Sequence, residues 1–276
     1  MATPMTSGAN PDVLDRRFSR IFDRRFNELA SMLPKFYSMK PGRRGPDERE
    51  SQFGEFGNFT EFAGAVDYQS IAQGYDVTAT YRHWANGFQV EITYAEDDLF
   101  NVVDKYPAKL ATSAQRTRES HGAEMLVLGF ATNTDWYNHT EGVPLFSNSH
   151  TTTAANVSTA SGFDNLTTSA MSMTAVLSAW IQMNGFRNDR GSRIQIVPNE
   201  LWYPPDLAPT AHEIMNSMGR PDNANNAVNF NEDRFTGYMW HYLSDANDWF
   251  MFDGTMRKDS FEWFDRIPVE FGRAED

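Results

Sequence analysis

Six histidines and 37 acidic residues are the side chains of this sequence that could do metal or acid–base chemistry. Their tightest group is Asp135, His139, Glu141 and His150, all residue types that bind metal ions. The group lies in a Thr- and Ser-rich segment and lacks the His-Glu-x-x-His spacing that places two ligands on one helix face. We therefore interpret it as a solvated loop in which His150 hydrogen-bonds locally, and we predict no metal site.

Motifs for nucleophilic or nucleotide chemistry are missing from the sequence. It contains no Gly-x-Ser-x-Gly, no Gly-x-x-x-x-Gly-Lys-Ser/Thr and no Gly-x-Gly-x-x-Gly, and its Cys count of 0 excludes thiolates and disulfides. The acidic residues and 14% aromatic content would suit an acidic carbohydrate-active enzyme, but no spacing singles out two carboxylates. We predict no catalytic residue and no cofactor, and keep that enzyme class as an alternative.

Composition and charge narrow the class of protein further. A net charge of -13 opposes a dedicated nucleic-acid-binding role, and 21 Phe, 10 Tyr and 7 Trp exceed what a monomer of 276 residues readily buries. Extensive contacts between subunits are therefore expected. The first residues lack a signal peptide and the uncharged stretch 165–186 is too polar for a membrane, so we expect a reducing cytoplasm and no membrane partner.

The N-terminal segment Asp12 to Tyr37 has the apolar spacing of an amphipathic helix, which Pro34 and the Pro- and Gly-rich stretch 40–46 interrupt. Four of its basic residues fall away from the apolar face: Arg16, Arg17, Arg24 and Arg25. Either a polyanion or an acidic patch on a neighbouring subunit would suit them, and the acidic patch is the preferred interpretation because Arg is well suited to desolvated ion pairs.

The next segment predicts a long two-stranded ribbon over about 45–94. Four phenylalanines mark a Gly-rich exposed excursion whose rings need a partner surface: Phe53, Phe56, Phe59 and Phe62. Alternating residues at 77–81 and 88–94 flank Asn86-Gly87, which predicts a β-hairpin with its turn there. Such a ribbon is marginally stable unless it docks on something else.

The remaining chain predicts α+β organisation around one long helix. Apolar steps of three and four indicate a helix over about 107–130, followed by a loop-rich stretch at 132–161. The pattern then predicts helices at 168–184 and 207–218, an Asn-rich loop at 223–231, and strands at 193–197, 235–243, 248–253 and 260–265, the last three in a meander.

Three stretches, in this order, resemble the major capsid proteins of tailed bacteriophages, particularly the Mu-like branch. The first is Gly87-Phe-Gln-Val-Glu-Ile-Thr-Tyr-Ala-Glu-Asp-Asp98, leading to Ala114-Gln-Arg-Thr-Arg-Glu119. The second is Gly142-Val-Pro-Leu-Phe-Ser-Asn-Ser-His150, followed by Asn165-Leu. The third is Pro198-Asn-Glu-Leu-Trp-Tyr-Pro-Pro205, then Ala211-His-Glu-Ile-Met, Trp240-His-Tyr-Leu-Ser-Asp and Asp248-Trp-Phe-Met-Phe252. None is a catalytic signature, so the resemblance depends on their order and spacing.

This resemblance implies an α+β Hong Kong 97-like capsid fold. It implies an N-terminal arm at 1–45, an extended E-loop β-hairpin at 46–95, a peripheral domain with a spine helix at 96–160, an axial domain at 161–250, and a C-terminal strand at 251–276 that returns to the peripheral domain. The E-loop and arm of such a subunit lie on neighbouring subunits, which implies contact roles for the four phenylalanines and four arginines named above.

The implied function is a structural subunit that forms hexamers and pentamers of an icosahedral head around double-stranded DNA, in a virion assembled in the host bacterial cytoplasm. Its short arm implies a separate scaffolding protein, alongside a portal. No Lys occurs between Lys40 and Lys105, so an E-loop lysine crosslink is unavailable and noncovalent contacts or a cement protein must stabilise the shell. An encapsulin-like compartment of the same fold remains the closest alternative.

Overall fold

The computed structural model describes residues 11–66, 68–91, 94, 101–219 and 228–272, with side chains from residue 16 onward. Within these ranges helices and strands mix along the chain, as the α+β prediction requires. The helices are α1 (Pro11–Glu28), α2 (Leu33–Phe36), α3 (Lys105–Val127), α4 (Met173–Met183), α5 (Ala208–Asn216) and α6 (Gly254–Ser260). The strands are β1 (Ser38–Pro41), β2 (Asp47–Phe53), β3 (Gln73–Thr80), β4 (Tyr137–His139), β5 (Glu200–Tyr203), β6 (Thr236–Met239), β7 (Phe250–Phe252) and β8 (Glu262–Asp265).

The long helix α3 confirms the helix predicted over about 107–130, to which the resemblance gives the role of spine. Its 23 residues extend about 35 Å, and Pro107 lies in the first turn, where its missing N–H leaves no helical bond unmade. The buried positions recur at steps of three and four along one face: Pro107, Ala111, Gln115, Glu119, Gly122, Ala123 and Leu126. Gly122 is needed on this face because a Cβ there would collide with Cδ2 of Leu33.

Strand β3 has different partners from those the turn at Asn86-Gly87 predicts. It pairs antiparallel with β2 on one side and with β4 on the other. The predicted hairpin is therefore wrong over residues 81–91, which lie outside any strand, whereas residues 92, 93 and 95–100 fall outside the described part of the chain. The physical reason is tertiary: Phe88 packs on Phe18 and Tyr106 instead of facing a partner strand.

The C-terminal half confirms both predicted helices as α4 and α5, but its strands do not form a meander. β5 lies between β6, to which it is parallel, and β7, to which it is antiparallel, while β8 pairs parallel with β1. The predicted strand at 193–197 is also wrong. Its residues alternate in burial as those of a strand do, but the β-pairing described there is one isolated bridge, between Arg187 and Arg193. The Asn-rich loop predicted at 223–231 lies largely outside the described residues.

Strand β5 separates two hydrophobic cores, because alternate side chains of a strand point to opposite faces. Trp202 faces a core built with Leu33, Phe36 and Trp240, whereas Leu201 faces a second core with Ile214. The first core ties the segment after α1 to the spine helix and to the C-terminal half. Among the described helices, none is both long enough and apolar enough to cross a membrane.

Candidate assembly surfaces

The ribbon formed by β2 and β3 ends in an exposed tip, residues 54–66 and 68–72, that projects three phenyl rings, and a fourth exposed ring belongs to Phe53, the last residue of β2. The register shifts between Ser51 and Phe53, and the last backbone bond of the ribbon runs from the Gly54 N–H to the Ala72 carbonyl at 2.9 Å. The four predicted contact residues are strongly exposed: Phe53 76%, Phe56 58%, Phe59 103% and Phe62 70%. None of these rings has an aromatic partner among the described residues, as the excursion predicted from their spacing requires.

The base of the tip is held by a turn of the C-terminal half, Asn188-Asp189-Arg190, named here the neck clamp. Arg190 donates to the carbonyls of Glu55 and Ser70 at 3.2 and 2.5 Å. Asn188 Nδ2 donates to the Glu55 carboxylate at 2.6 Å, and the Glu55 N–H donates to Asp189 Oδ1 at 3.1 Å. The clamp was absent from the sequence predictions. Its only local signal is the turn-forming Asn-Asp-Arg-Gly run at 188–191.

The arm helix α1 uses its apolar face within the same subunit. Phe22 is 3% exposed and packs on Phe271 with ring centroids 5.3 Å apart, while Phe18 packs on Phe88. The arginines lie on the outside of this packing, with side-chain exposures of 53% for Arg17, 75% for Arg24 and 45% for Arg25.

Partners within the subunit distinguish the four predicted arginines. Arg17 forms an ion pair with Asp104 at the start of α3. Arg24 and Arg25 lie 3.8 and 3.5 Å from the Glu28 carboxylate, which are exposed pairs of small energetic weight. Arg16 is exposed. The structure thus places Arg17 in a contact within the subunit and leaves Arg16, Arg24 and Arg25 available to a neighbour.

A groove of about 2380 Å³ runs between α1, the ribbon, α3 and the C-terminal residues 260–272. Its volume exceeds the roughly 300–1,000 Å³ typical of small-molecule pockets, so its size suits a polypeptide surface better than a cofactor. One wall is a packed aromatic group in which His121 contacts Trp84, Trp136 and Trp263. His121 Nδ1 lies 2.9 Å from Glu124, whose carboxylate also accepts from Arg82 at 3.0 Å. His121 therefore has a packing role at the centre of this aromatic group.

The predicted solvated loop around the histidine group is wrong, because His139 lies in strand β4 and the side chains of Glu141 and His150 are only 11% and 18% exposed. The segment that follows β4 is organised by hydrogen bonds. Glu141 receives the Thr151 N–H at 2.7 Å and lies 3.0 Å from His150 Nδ1, while His150 Nε2 lies 3.2 Å from the Leu145 carbonyl. These contacts confirm the local hydrogen bonding predicted for His150. Within the described ranges, the structure contains no group of three or more metal-capable side chains arranged to hold an ion.

Shifted pKa values fall mainly on groups that serve packing. Burial, followed by the charge of Glu124, raises the pKa of Tyr37, whose hydroxyl donates to the Gly122 carbonyl at 2.6 Å. Burial also raises the pKa of Tyr137. Hydrogen bonds from Ser51 and then Gln73 lower the pKa of Asp76 in the ribbon. These groups are separate from one another and suggest no acid–base pair.

Comparison with known proteins connects these surfaces to one class of assembly. The family model for phage capsid protein matches residues 83–276, and no curated protein matches the sequence. The capsid of bacteriophage JBD30 is similar in structure, with a TM-score of 0.60 and 15% identity over 88% of this chain and 96% of that chain.

Two further JBD30 structures agree with this similarity. The procapsid gives a TM-score of 0.56 and 18% identity over 87% of this chain and 100% of that chain. The capsid decorated with minor capsid protein trimers gives 0.53 and 15% over 78% of this chain and 92% of that chain. The shared fold confirms the predicted α+β, Hong Kong 97-like class. With the family match covering most of the sequence, the chain belongs to the phage capsid protein family, as a structural subunit of a phage head.

Proposed function

We propose that this head subunit assembles into the hexamers and pentamers of an icosahedral shell, using the tip of the ribbon and the outer face of α1 as contacts between subunits. The observation that carries the proposal is the end of the ribbon, where four phenyl rings, that of Phe53 and the three of the tip, find no aromatic partner among the described residues of their own subunit. Phe side chains bury roughly 150–250 Å² each when they pack. A neighbouring subunit that covers these rings would gain that hydrophobic stabilisation.

The arm supports the same proposal through charge. Arg16, Arg24 and Arg25 project from a chain whose net charge is -13, so a second copy offers them acidic surface to pair with. The proposed division of the subunit follows the fold resemblance: arm 1–45, E-loop 46–95, peripheral domain 96–160, axial domain 161–250 and C-terminal strand 251–276. The Arg118 to Asp265 ion pair supports a C-terminal strand that returns to the peripheral domain, and the parallel pairing of β8 with β1 joins the same strand to the arm.

The proposed partners follow from the class of assembly. The shell would enclose double-stranded DNA without sequence-specific contacts, and its net charge of -13 suits a container that does not bind its content tightly. A separate scaffolding protein, a portal and a cement protein are proposed to act with it during assembly in the host bacterial cytoplasm. We also propose membership of the Mu-like branch and the absence of catalytic activity.

The test compares the purified wild-type protein with two sets of substitutions at Phe56, Phe59 and Phe62. Replacing all three with Ser removes the apolar rings, whereas replacing all three with Leu keeps an apolar surface of similar area. We expect the Ser variant to lose closed shells in negative-stain electron microscopy and the Leu variant to retain them. Far-UV circular dichroism should match wild type in both, because none of the three rings lies in either core.

Deletion of Gln52 to Ala72 is the stronger version of the same experiment. A deleted subunit should reach capsomers at most in size-exclusion chromatography, whereas intact shells would refute the contact role of the tip. The content of wild-type particles separates the two shell functions: nuclease-protected double-stranded DNA supports a phage head, and an enclosed protein cargo supports an encapsulin-like compartment.

A further inference from the structure

The neck clamp joins the tip to a distant part of the same chain. Beyond the last ribbon bond at Gly54 and Ala72, the described residues 55–66 and 68–71 form no strand. One further contact of the tip is internal, because the Gly57 N–H donates to Gln69 Oε1 at 2.7 Å. Among the described residues, the polar contacts between the tip and the rest of the subunit come from the clamp. The direction in which the phenyl rings project is therefore set at this neck.

Arg190 holds both legs of the neck at once. Its Nε donates to the carbonyl of Glu55 on the outgoing leg, and its Nη2 donates to the carbonyl of Ser70 on the returning leg. A guanidinium can do this because its donors form a rigid planar fork, whereas a lysine amine is a single point. The same side chain thus keeps the two legs together and anchors them to the turn.

The turn that carries Arg190 is itself rigid. Asn188 Oδ1 accepts from the N–H groups of Arg190 and Ser192 at 3.1 and 2.8 Å, and Gly191 has a φ of 80°, the left-handed conformation that glycine adopts without strain. Thr152 Oγ1 donates to the Asp189 carbonyl at 3.1 Å and ties the turn to the loop beside β3. The turn is therefore held by contacts that do not involve the tip.

We propose that Arg190 is a positioning residue for assembly, which with Asn188 and Asp189 fixes the tip in the direction from which it contacts a second copy of this chain. The inference rests on the proposed contact role of the tip. A tip held in its bound direction has less conformational entropy to lose on association. The clamp therefore favours association although its own residues need not touch the neighbouring subunit.

The primary test is Arg190→Ala, with Arg190→Lys as the graded variant. In the unassembled wild-type subunit the amides of Gly54, Glu55 and Gly57 are all hydrogen-bonded. Arg190→Ala should speed their hydrogen exchange by roughly tenfold, which is what the loss of hydrogen bonds from a charged donor predicts. Arg190→Lys should give an intermediate rate because its amine replaces one arm of the fork. Assembly yield should fall in the same order.

A disulfide offers a rescue that a general folding defect would not show. Asp189 Cγ lies 3.2 Å from the position that a Cβ on residue 54 would occupy, so sulfurs introduced by Gly54→Cys and Asp189→Cys would be close enough to bond. The natural chain has 0 Cys, so no other thiol competes. In the Arg190→Ala background, the oxidised double-cysteine variant should regain shell yield and protection of the amides of residues 54 and 57, whose acceptors are kept, and the reduced form should not.

The outcomes separate this inference from the proposed function. If the Phe-to-Ser variant loses shells while Arg190→Ala assembles and exchanges like wild type, the tip contact stands and the clamp inference is overturned. Shells formed only by the reduced double-cysteine variant would also overturn it, because the clamp would then oppose assembly. If the Phe-to-Ser variant assembles normally, the proposed function itself fails. Gly87→Ala is the matched control, since a Cβ at Gly87 meets nothing within 4 Å.

Discussion

Phenylalanine residues occupy two contrasting environments in this subunit. Phe36 is 0% exposed and its ring packs against Trp202, Trp240 and Phe261, with centroids 4.9, 5.6 and 5.3 Å away. Phe59 at the tip is 103% exposed, as much as in an extended chain. Both residues carry the same apolar area, so one ring is stabilised by its own subunit and the other has its stabilisation still to gain.

This difference separates the residues that stabilise the folded subunit from those proposed to contact a neighbouring subunit. The core around Phe36 connects α2, α3 and β5, which the isolated subunit needs in order to fold. The tip contributes nothing to either core and is held by polar contacts at its neck. Substitutions in the core should therefore change subunit stability, and those at the tip should change association.

The largest expected effect is the difference in unfolding free energy between the same substitution made in the core and at the tip. Phe36→Ala should lower the free energy of unfolding by about 3–5 kcal/mol, because it leaves a cavity among buried aromatic rings. Phe59→Ala should leave it within about 0.5 kcal/mol of wild type, because the ring packs on nothing in the subunit. Urea denaturation of the unassembled protein measures both. A marked loss of stability in Phe59→Ala would show that the tip belongs to the folded core.

A smaller effect is expected at the polar centre of the same core. Glu119 is 3% exposed, and its carboxylate accepts hydrogen bonds from groups on α3, on the segment before α2 and on the C-terminal half. These donors are the Ser31 hydroxyl at 2.5 Å, the Met32 N–H at 3.0 Å, Gln115 Nε2 at 3.2 Å and Trp240 Nε1 at 3.1 Å.

Glu119→Gln keeps the shape of this side chain but replaces one acceptor oxygen with an NH₂ group. Buried donors then lose their partners, and we expect the free energy of unfolding to fall by about 1–3 kcal/mol. The same substitution at exposed Glu213 is the matched control. Equal stability of the two variants would mean that the carboxylate is not a centre of the core.

The same contrast explains which parts of the fold the sequence could predict. The spine helix and α1 were predictable because their apolar residues recur at helical steps. The tip was predictable because Gly and polar residues separate its Phe residues, which suits an exposed excursion. Strand β2 was not, since Asp47-Glu-Arg-Glu-Ser-Gln-Phe53 has no alternating apolar residues. The strong turn signal at Asn86-Gly87 instead suggested the wrong hairpin, because Phe88 is recruited by α1.

The assembly surfaces were predictable to a similar extent. The exposure of the Phe residues and of a basic helix face are local properties, which the sequence can predict, whereas their contact roles stay a prediction. The clamp could not be predicted from the sequence, because Arg190 and Glu55 are far apart in it and neither lies in a motif that distinguishes it from an ordinary surface charge. Arg17 was grouped with the other arginines for the same reason, since its ion pair with Asp104 depends on how α1 packs on α3.

The arm helix lies between the two extremes, with one face packed and one face free. Arg24→Glu with Arg25→Glu should reduce shell yield while changing unfolding free energy by less than about 1 kcal/mol, because their exposed pairs with Glu28 contribute little. Arg17→Glu should also weaken the packing of α1, since it loses the pair with Asp104. Sedimentation measures shell yield and circular dichroism the fold. Unchanged yield in the double variant would refute an interface role for this face.

The smallest effect is expected in the ribbon, at Asp76. Hydrogen bonds from Ser51 and Gln73 lower the pKa of its carboxyl in the folded protein. A carboxyl whose folded pKa lies below its unfolded value stabilises the fold above the unfolded value, and that stabilisation is lost as the pH falls through the folded pKa. Asp76→Asn should therefore be slightly less stable than wild type at pH 7, and the two should converge in acid.

Urea denaturation from neutral to acidic pH measures this difference, and Asp259→Asn at another exposed carboxyl controls for the removal of one surface charge. Because Asp76 lies on the ribbon and outside both cores, hydrogen exchange should show the acid effect in β2 and β3 before it reaches α3. A wild-type advantage that persisted or grew in acid would contradict the lowered pKa. If hydrogen exchange increased in the ribbon and in α3 at the same pH, the ribbon and the core would unfold together. The part of the subunit that folds with the core would then include the ribbon and end at the tip.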